Sequence, residues 1–275
     1  MDLQGLRVLV TRPEGQAEGL IAALQQLGAE VIHHPLLAID TIPVTAVSDR
    51  AAANHAEQQR IRDRVLQLDQ YDKIVFISTN AVAQGFTWID QYWPQFPQGP
   101  RCYAIGAATA AALAVHECTA RYPAQAMHSE ALLAMPDFQQ LAGQRILIFR
   151  GVGGREELAS TMRTRGAVVD YCEVYRRRPL TIPAASLQEL LSRPVILSVT
   201  SVETLQALWQ AALQAEVGEL VVNRPLLVPG SRVATAAQNL GFASIVQAEN
   251  AGTTAMCSAL QKWLSEMNNN SSETL

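Results

Sequence analysis

Short unbroken apolar runs alternate along the chain with stretches in which apolar residues return every three or four positions. Residues 8–10 form such a run, and Ala17, Leu20, Ile21, Leu24 and Leu27 follow at helical spacing. An unbroken run reads as a strand buried on both faces, and the longer spacing as a helix laid against it. Pro13 suits the first turn of that helix because its missing N–H has no intrahelical partner there, and Gly28 supplies the stop. Residues 30–33 read as the next strand. The unit recurs as an apolar run at 146–149, a glycine-rich turn, a helix around 156–165, Gly166 and a strand at 168–172. Further runs at 74–77, 101–105, 195–199, 226–228 and 244–247 are separated by helical stretches, which predicts parallel sheets covered on both faces, an α/β fold. Ser129 and Thr253 are placed to cap helices near the end of each half.

The recurrence extends to particular residues. Arg7, Arg12 and Gly28 return as Arg145, Arg150 and Gly166, each 138 positions on (145−7, 150−12, 166−28). Ser78 and Gly106 answer to Ser201 and Gly230, at offsets of 123 (201−78) and 124 (230−106). Such a duplication predicts two similar doubly wound parallel-sheet domains with a cleft between them. Residues 46–68 are polar, rich in Ala, Gln and Arg, and without turn signals. They read as a long, mostly solvated helix present in one half only, which accounts for the fall in offset. Composition alone places a domain boundary near Ala126.

The chain of 275 residues is 49% apolar and 17% charged, and no run approaches the roughly 20 apolar residues of a membrane span. The first residues lack the basic-then-apolar pattern of a signal peptide, so a cytoplasmic location is expected. A formal charge of −4 opposes binding to nucleic acid, which needs a basic face. Cys102, Cys118, Cys172 and Cys257 are too widely spaced for a zinc or C-x-x-C redox pattern and read as small core residues. His33 and His34 are strand neighbours that point to opposite faces, and His55, His116 and His128 lie in unrelated contexts, so no metal site is expected. Residues 267–275 lack apolar periodicity and read as a disordered tail.

In open parallel sheets, ligands bind beyond the C-terminal strand ends, where the next helix also presents free N–H groups. The turns at those places carry Arg12; Ser78, Thr79 and Asn80; Gly106 and Thr109; Arg150 and Gly151; Thr200 and Ser201; and Gly230, Ser231 and Arg232, with Thr235 one helical turn on. Hydroxyls, glycines and scattered arginines hold carboxylates or phosphates without a net basic protein. Each turn taken alone is also what ordinary helix capping produces. Glu156 stands where a dinucleotide loop has its third glycine, and the chain has no Walker A lysine pattern or Gly-x-Ser-x-Gly elbow, which speaks against nucleotide cofactors and serine hydrolysis.

The stretch Ile146-Leu147-Ile148-Phe149-Arg150-Gly151-Val152-Gly153-Gly154-Arg155-Glu156-Glu157-Leu158, with Arg165-Gly166-Ala167 and Glu173-Val174-Tyr175-Arg176-Arg177 after it, closely resembles the uroporphyrinogen-III synthase family. Val10-Thr11-Arg12-Pro13, the 76–82 turn, the 105–110 turn and residues 129–133 fit that family in the same order, and the resemblance runs from about Leu6 to about Leu264. It implies an enzyme of tetrapyrrole synthesis that cyclises hydroxymethylbilane with inversion of its last ring and loss of water, without metal or organic cofactor. It also implies a discontinuous first domain, 1–37 with 178–275, and an inserted second domain, 38–177, joined by two connecting strands. Tyr175 matches the family's tyrosine at the connector, the implied catalytic helper. Thr200-Ser201-Val202 and Pro229-Gly230-Ser231 depart from the family's common turns. A monomer is expected, with hand-over of substrate from the upstream bilane-forming enzyme as a possible partnership. The rival readings are a hinged binder of small anions and a regulatory module of the same fold, neither catalytic.

Overall fold

A computed structural model describes residues 2–44, 51–123, 129–154 and 156–272. Its strands are β1 (Arg7–Val10), β2 (Glu30–His33), β3 (Leu37–Thr41), β4 (Lys73–Phe76), β5 (Arg101–Ala104), β6 (Ala120–Arg121), β7 (Arg145–Gly151), β8 (Val168–Pro179), β9 (Ile196–Ser198), β10 (Leu226–Pro229) and β11 (Ile245–Ala248). Between them run α1 (Glu18–Gln26), α2 (Ala51–Leu66), α3 (Thr79–Tyr92), α4 (Ala107–Val115), α5 (Ser129–Ala134), α6 (Glu157–Thr164), α7 (Ala184–Leu191), α8 (Val202–Gln214), α9 (Gly218–Val222), α10 (Gly230–Asn239) and α11 (Thr253–Ser272). The chain divides into two compact units, Met1–Ala38 with Arg178–Leu275, and Ile39–Arg177. It passes from one to the other along β3 and again along β8.

The first unit is built on a sheet of order β11-β10-β9-β1-β2, with every neighbouring pair parallel. Successive strand residues face opposite ways, and each face has its own core. Leu9, Leu197 and Val228 pack into one apolar cluster, and Val8, Val10, Ile196 and Leu227 into the other. In the second unit the order is β3-β8-β7-β4-β5-β6, with the ladder from β8 through β6 parallel. Ile74, Phe76, Leu147 and Phe149 face one core there, and Val75, Ile146 and Ile148 the other. Buried on both faces, these strands need no alternation, hence the unbroken apolar runs.

The two sheets carry one topology. Setting β7 against β1 and β8 against β2 brings β4 onto β9, β5 onto β10 and β6 onto β11, and the orders then coincide. The two-strand block opens the first unit in sequence but closes the second, so one copy is a circular permutation of the other. Gly28 and Gly166, the paired helix stops, both adopt left-handed backbone, at φ +87° and +89°.

Several expectations need correction. The first helix begins at Glu18 instead of at Pro13, because Gly15 turns into the left-handed region and its N–H is bonded by the Glu18 carboxylate, 2.9 Å away. The fall in offset does not come from a helix present in one half alone: α7 stands where α2 does and is shorter, 8 residues against 16. As expected, α2 is mostly solvated over its described side chains, with Gln58, Ile61 and Val65 burying one stripe. The helical part of the expected tail runs on in α11 as far as Ser272, since extending a formed helix adds a hydrogen bond for each residue fixed. Ala126 and residues 46–50 lie outside the described residues.

Candidate functional site

Because β7, β4 and β5 are parallel neighbours, the turns after them stand side by side at one end of the second sheet. Hydrogen bonds keep the strand ends level: Ile77 N–H donates to Phe149 O (3.4 Å) and Ile105 N–H to Phe76 O (3.0 Å). Ser78, two residues beyond β4, is in extended backbone and caps α3, its hydroxyl accepting from Ala81 N–H at 3.0 Å. The same hydroxyl lies 3.1 Å from the Tyr175 hydroxyl.

Tyr175 is brought there by an irregularity in the ladder. Arg150 pairs with Glu173 and Gly151 with Tyr175, so β8 carries one extra residue, Val174, at that point. Bulges of this kind re-aim the side chains beside them. The Tyr175 ring then fills the space above Gly151, where a Cβ would come within 2.6 Å of a ring carbon. Only glycine fits at 151. Gly106, also extended, begins the helix that carries Thr109, which is buried, whereas Thr79 is exposed and Asn80 half-buried.

Arg150 is 2% exposed and engaged within its own unit. Its guanidinium lies 4.4 Å from the Tyr171 ring centre, donates to Gly151 O and Glu156 (3.3 Å each) and approaches Glu173 at 3.8 Å. A Cβ at Gly154 would collide with it. Tyr171 donates to Glu156 at 2.6 Å, which helps hold that carboxyl below its usual range and, with burial, raises the phenol. This cluster shapes the 151–156 turn. It does not leave Arg150 presented to a ligand.

The first unit repeats the plan with β1, β9 and β10. Ser201 is the counterpart of Ser78: extended, capping α8 through Thr204 N–H at 3.0 Å, with Thr204 Oγ1 at 2.8 Å. Thr200 precedes it, half-buried. Gly230 opens α10 at φ +69°, a conformation that favours glycine, and Ser231, Arg232 and Thr235 are exposed on that helix. Arg12, two residues beyond β1, takes the place that Arg150 has at the end of the straight part of β7, but its surroundings differ. Its partners among the described residues are the carbonyls of Gln16 and Ala251, and its own carbonyl meets His33 Nε2 at 2.9 Å. Burial lowers its pKa from the usual arginine value. A half-buried guanidinium facing only neutral acceptors retains charge to offer an acid.

Spacing gave the turns but not these contacts. The Ser78–Tyr175 pair, the bulge and the Arg150–Tyr171–Glu156 cluster depend on strand register, for which the amino-acid pattern carries no direct signal.

Fold and turns define a duplicated, doubly wound α/β protein whose strand-end loops carry groups suited to carboxylates. The family model described as "Uroporphyrinogen-III synthase HemD" matches residues 18–258. A uroporphyrinogen-III synthase of Salmonella typhimurium is 35% identical over 93% of this chain and 100% of its own, and one of Escherichia coli is 33% identical over the same shares. A solved structure of a mutant uroporphyrinogen III synthase from the extremely thermophilic bacterium Thermus thermophilus covers 95% of the chain and 100% of its own, with a TM-score of 0.60 at 19% identity, a likeness of fold. The chain belongs to the uroporphyrinogen-III synthase family, cyclising lyases of tetrapyrrole biosynthesis.

Proposed function

We propose that this protein closes hydroxymethylbilane, inverting the last pyrrole ring and releasing water, to give uroporphyrinogen III. The observation that carries the reading is the family match over residues 18–258, with relatives matched along their whole length. In this reading the chain works as two domains, 1–37 with 178–275 and 38–177. The compact units and the shared strand order support that division.

The substrate bears acetate and propionate groups on each ring and is flexible. Left alone it closes to the symmetric isomer, so the catalyst must hold the chain where the substituted carbon of the last ring meets the electrophilic carbon of the first. That is rate enhancement by orientation. Loss of the hydroxyl is assisted by the pyrrole nitrogen, which leaves little for a strong acid to do. A phenol suffices, and Tyr175, tied to Ser78 and backed by Gly151, fits a weak donor and positioning group. Arg12 and Arg232 take carboxylates, joined by hydroxyls and N–H groups at Ser78, Thr79, Asn80, Gly106, Thr109, Gly151, Thr200, Ser201, Gly230, Ser231 and Thr235. Arg150 acts behind them, by shaping its turn. The reading needs no metal or organic cofactor; it places a monomer in the cytoplasm and receives its bilane from the upstream enzyme. No helix among the described residues is long and apolar enough to cross a membrane.

Incubation with hydroxymethylbilane, followed by separation of the product isomers, tests this directly. Type III product is expected. Type I alone, at the spontaneous rate, would make the protein a binder of the same fold.

A further inference from the structure

Two cysteines that lie on either side of α4 in the sequence meet in the second unit. Cys102 belongs to β5, and its register partner on β6 is Ala120, two residues beyond Cys118. At the end of α4 the chain turns through Glu117, in left-handed backbone at φ 56°, and Cys118 N–H bonds back to Leu113 O at 3.1 Å. Both cysteines sit in one apolar cluster, 6% and 4% exposed, close enough that each perturbs the other's ionisation. Both also line a cavity of about 610 Å³, walled by Phe86, Trp93, Phe96 and His116. The exposed residues Val115 and Glu117 stand on its lining, so it opens to the surface. Cys102 lies near the start of β5, at the opposite end of that strand from Gly106.

We propose that Cys102 and Cys118 form a reversible dithiol–disulfide pair, oxidised by a low-molecular-weight disulfide that enters through this cavity. The Cys118 thiolate attacks one sulfur of the reagent, breaking its S–S bond, joining one half to Cys118 and releasing the other as a thiolate that takes up a proton. The Cys102 thiolate then attacks Cys118 Sγ and expels the second half. One S–S bond forms in the protein and one is lost from the reagent, which leaves as two thiols carrying the two cysteine protons. Cys118 attacks first because its neighbour Cys102 holds it below the ordinary thiol range while Cys102 itself is held above it. Cys172 and Cys257 are buried and raised, by burial first, and serve as internal controls.

The bridge would enclose the turn that carries Gly106 and Thr109, so oxidation is expected to lower turnover several-fold; that consequence rests on the assignment of this turn to the substrate. The thiol chemistry does not, and is read separately. The full chain is equilibrated with oxidised glutathione, denatured in alkylating reagent and mapped by peptide mass. The expected result is loss of two of the four thiols, a linked peptide pair holding Cys102 and Cys118, and recovery with dithiothreitol. In Cys102→Ala, glutathione should remain trapped on Cys118; in Cys118→Ala, Cys102 should stay unmodified. Four alkylated thiols in the treated parent protein, a lasting glutathione adduct there, or a linkage through Cys172 or Cys257 would overturn the proposal. An oxidised pair with unchanged turnover would leave it standing and remove the turn from the substrate site.

Discussion

Arg12 and Arg150 occupy matching places in the two copies and meet different neighbours, and this separates their expected roles. Arg12 faces carbonyls alone among the described residues, so Arg12→Ala should raise KM by the equivalent of ~1–3 kcal/mol while leaving the melting temperature nearly unchanged. Arg150 is buried against two carboxylates that remain partly in water, and Arg150→Ala should lower stability by about 2 kcal/mol, measured by urea unfolding. The reverse pattern, with KM moved by Arg150→Ala and stability by Arg12→Ala, would exchange the assignments. At Tyr175 the orientation account expects Tyr175→Phe to cost less than the ~10²-fold in kcat that a dedicated general acid supplies. Gly151→Ala should cost at least as much, since its methyl drives into the ring and moves the hydroxyl away from Ser78. A fully active Gly151→Ala enzyme would deny any importance to the placement of that ring. The residue types at these sites were legible as polar turns, but no spacing distinguishes an arginine saved for a ligand from one consumed by the protein.

Helix starts tell a similar story one level up. Ser78 and Ser201 cap α3 and α8 with the same geometry, so replacing either by alanine should cost about 1 kcal/mol in the unfolding transition of its own unit. Ser78 has a second partner in Tyr175, and Ser78→Ala alone should also reduce kcat; equal kinetic effects from both serines would contradict this. The strands were readable because burial on both faces leaves continuous apolar runs, and the paired stops at Gly28 and Gly166 because left-handed backbone selects glycine. The start of α1 was not, because Gly15 overrules the proline before it. The extra residue in β8 was invisible too, being defined only by what it pairs with.

Each unit closes its own cores: among the described residues, no buried cluster mixes the strands of the two sheets. The second unit is also continuous in sequence, so a fragment of residues 39–177 should fold alone, with a cooperative melt and a dispersed amide NMR spectrum. A fragment of residues 178–275 should not, because it lacks β1, the neighbour of β9. A molten 39–177 fragment would mean that the units depend on each other for stability. The duplication itself was plain in the recurring residues, whereas its permuted form was not, because offsets record distance along the chain and not which strand lies beside which.

That permutation bears on synthesis at the ribosome. β1, α1 and β2 emerge well before β9, the strand on the other side of β1, which begins at Ile196. At roughly 5–20 residues per second, the interval is on the order of ten to thirty seconds. Throughout it the nascent chain carries an orphan hairpin-sized fragment with Val8, Val10, Leu20 and Leu24 uncovered, while the inserted unit behind it completes and folds. Chaperone demand should therefore fall on residues 7–33, and a version in which β9 precedes β1 should escape it.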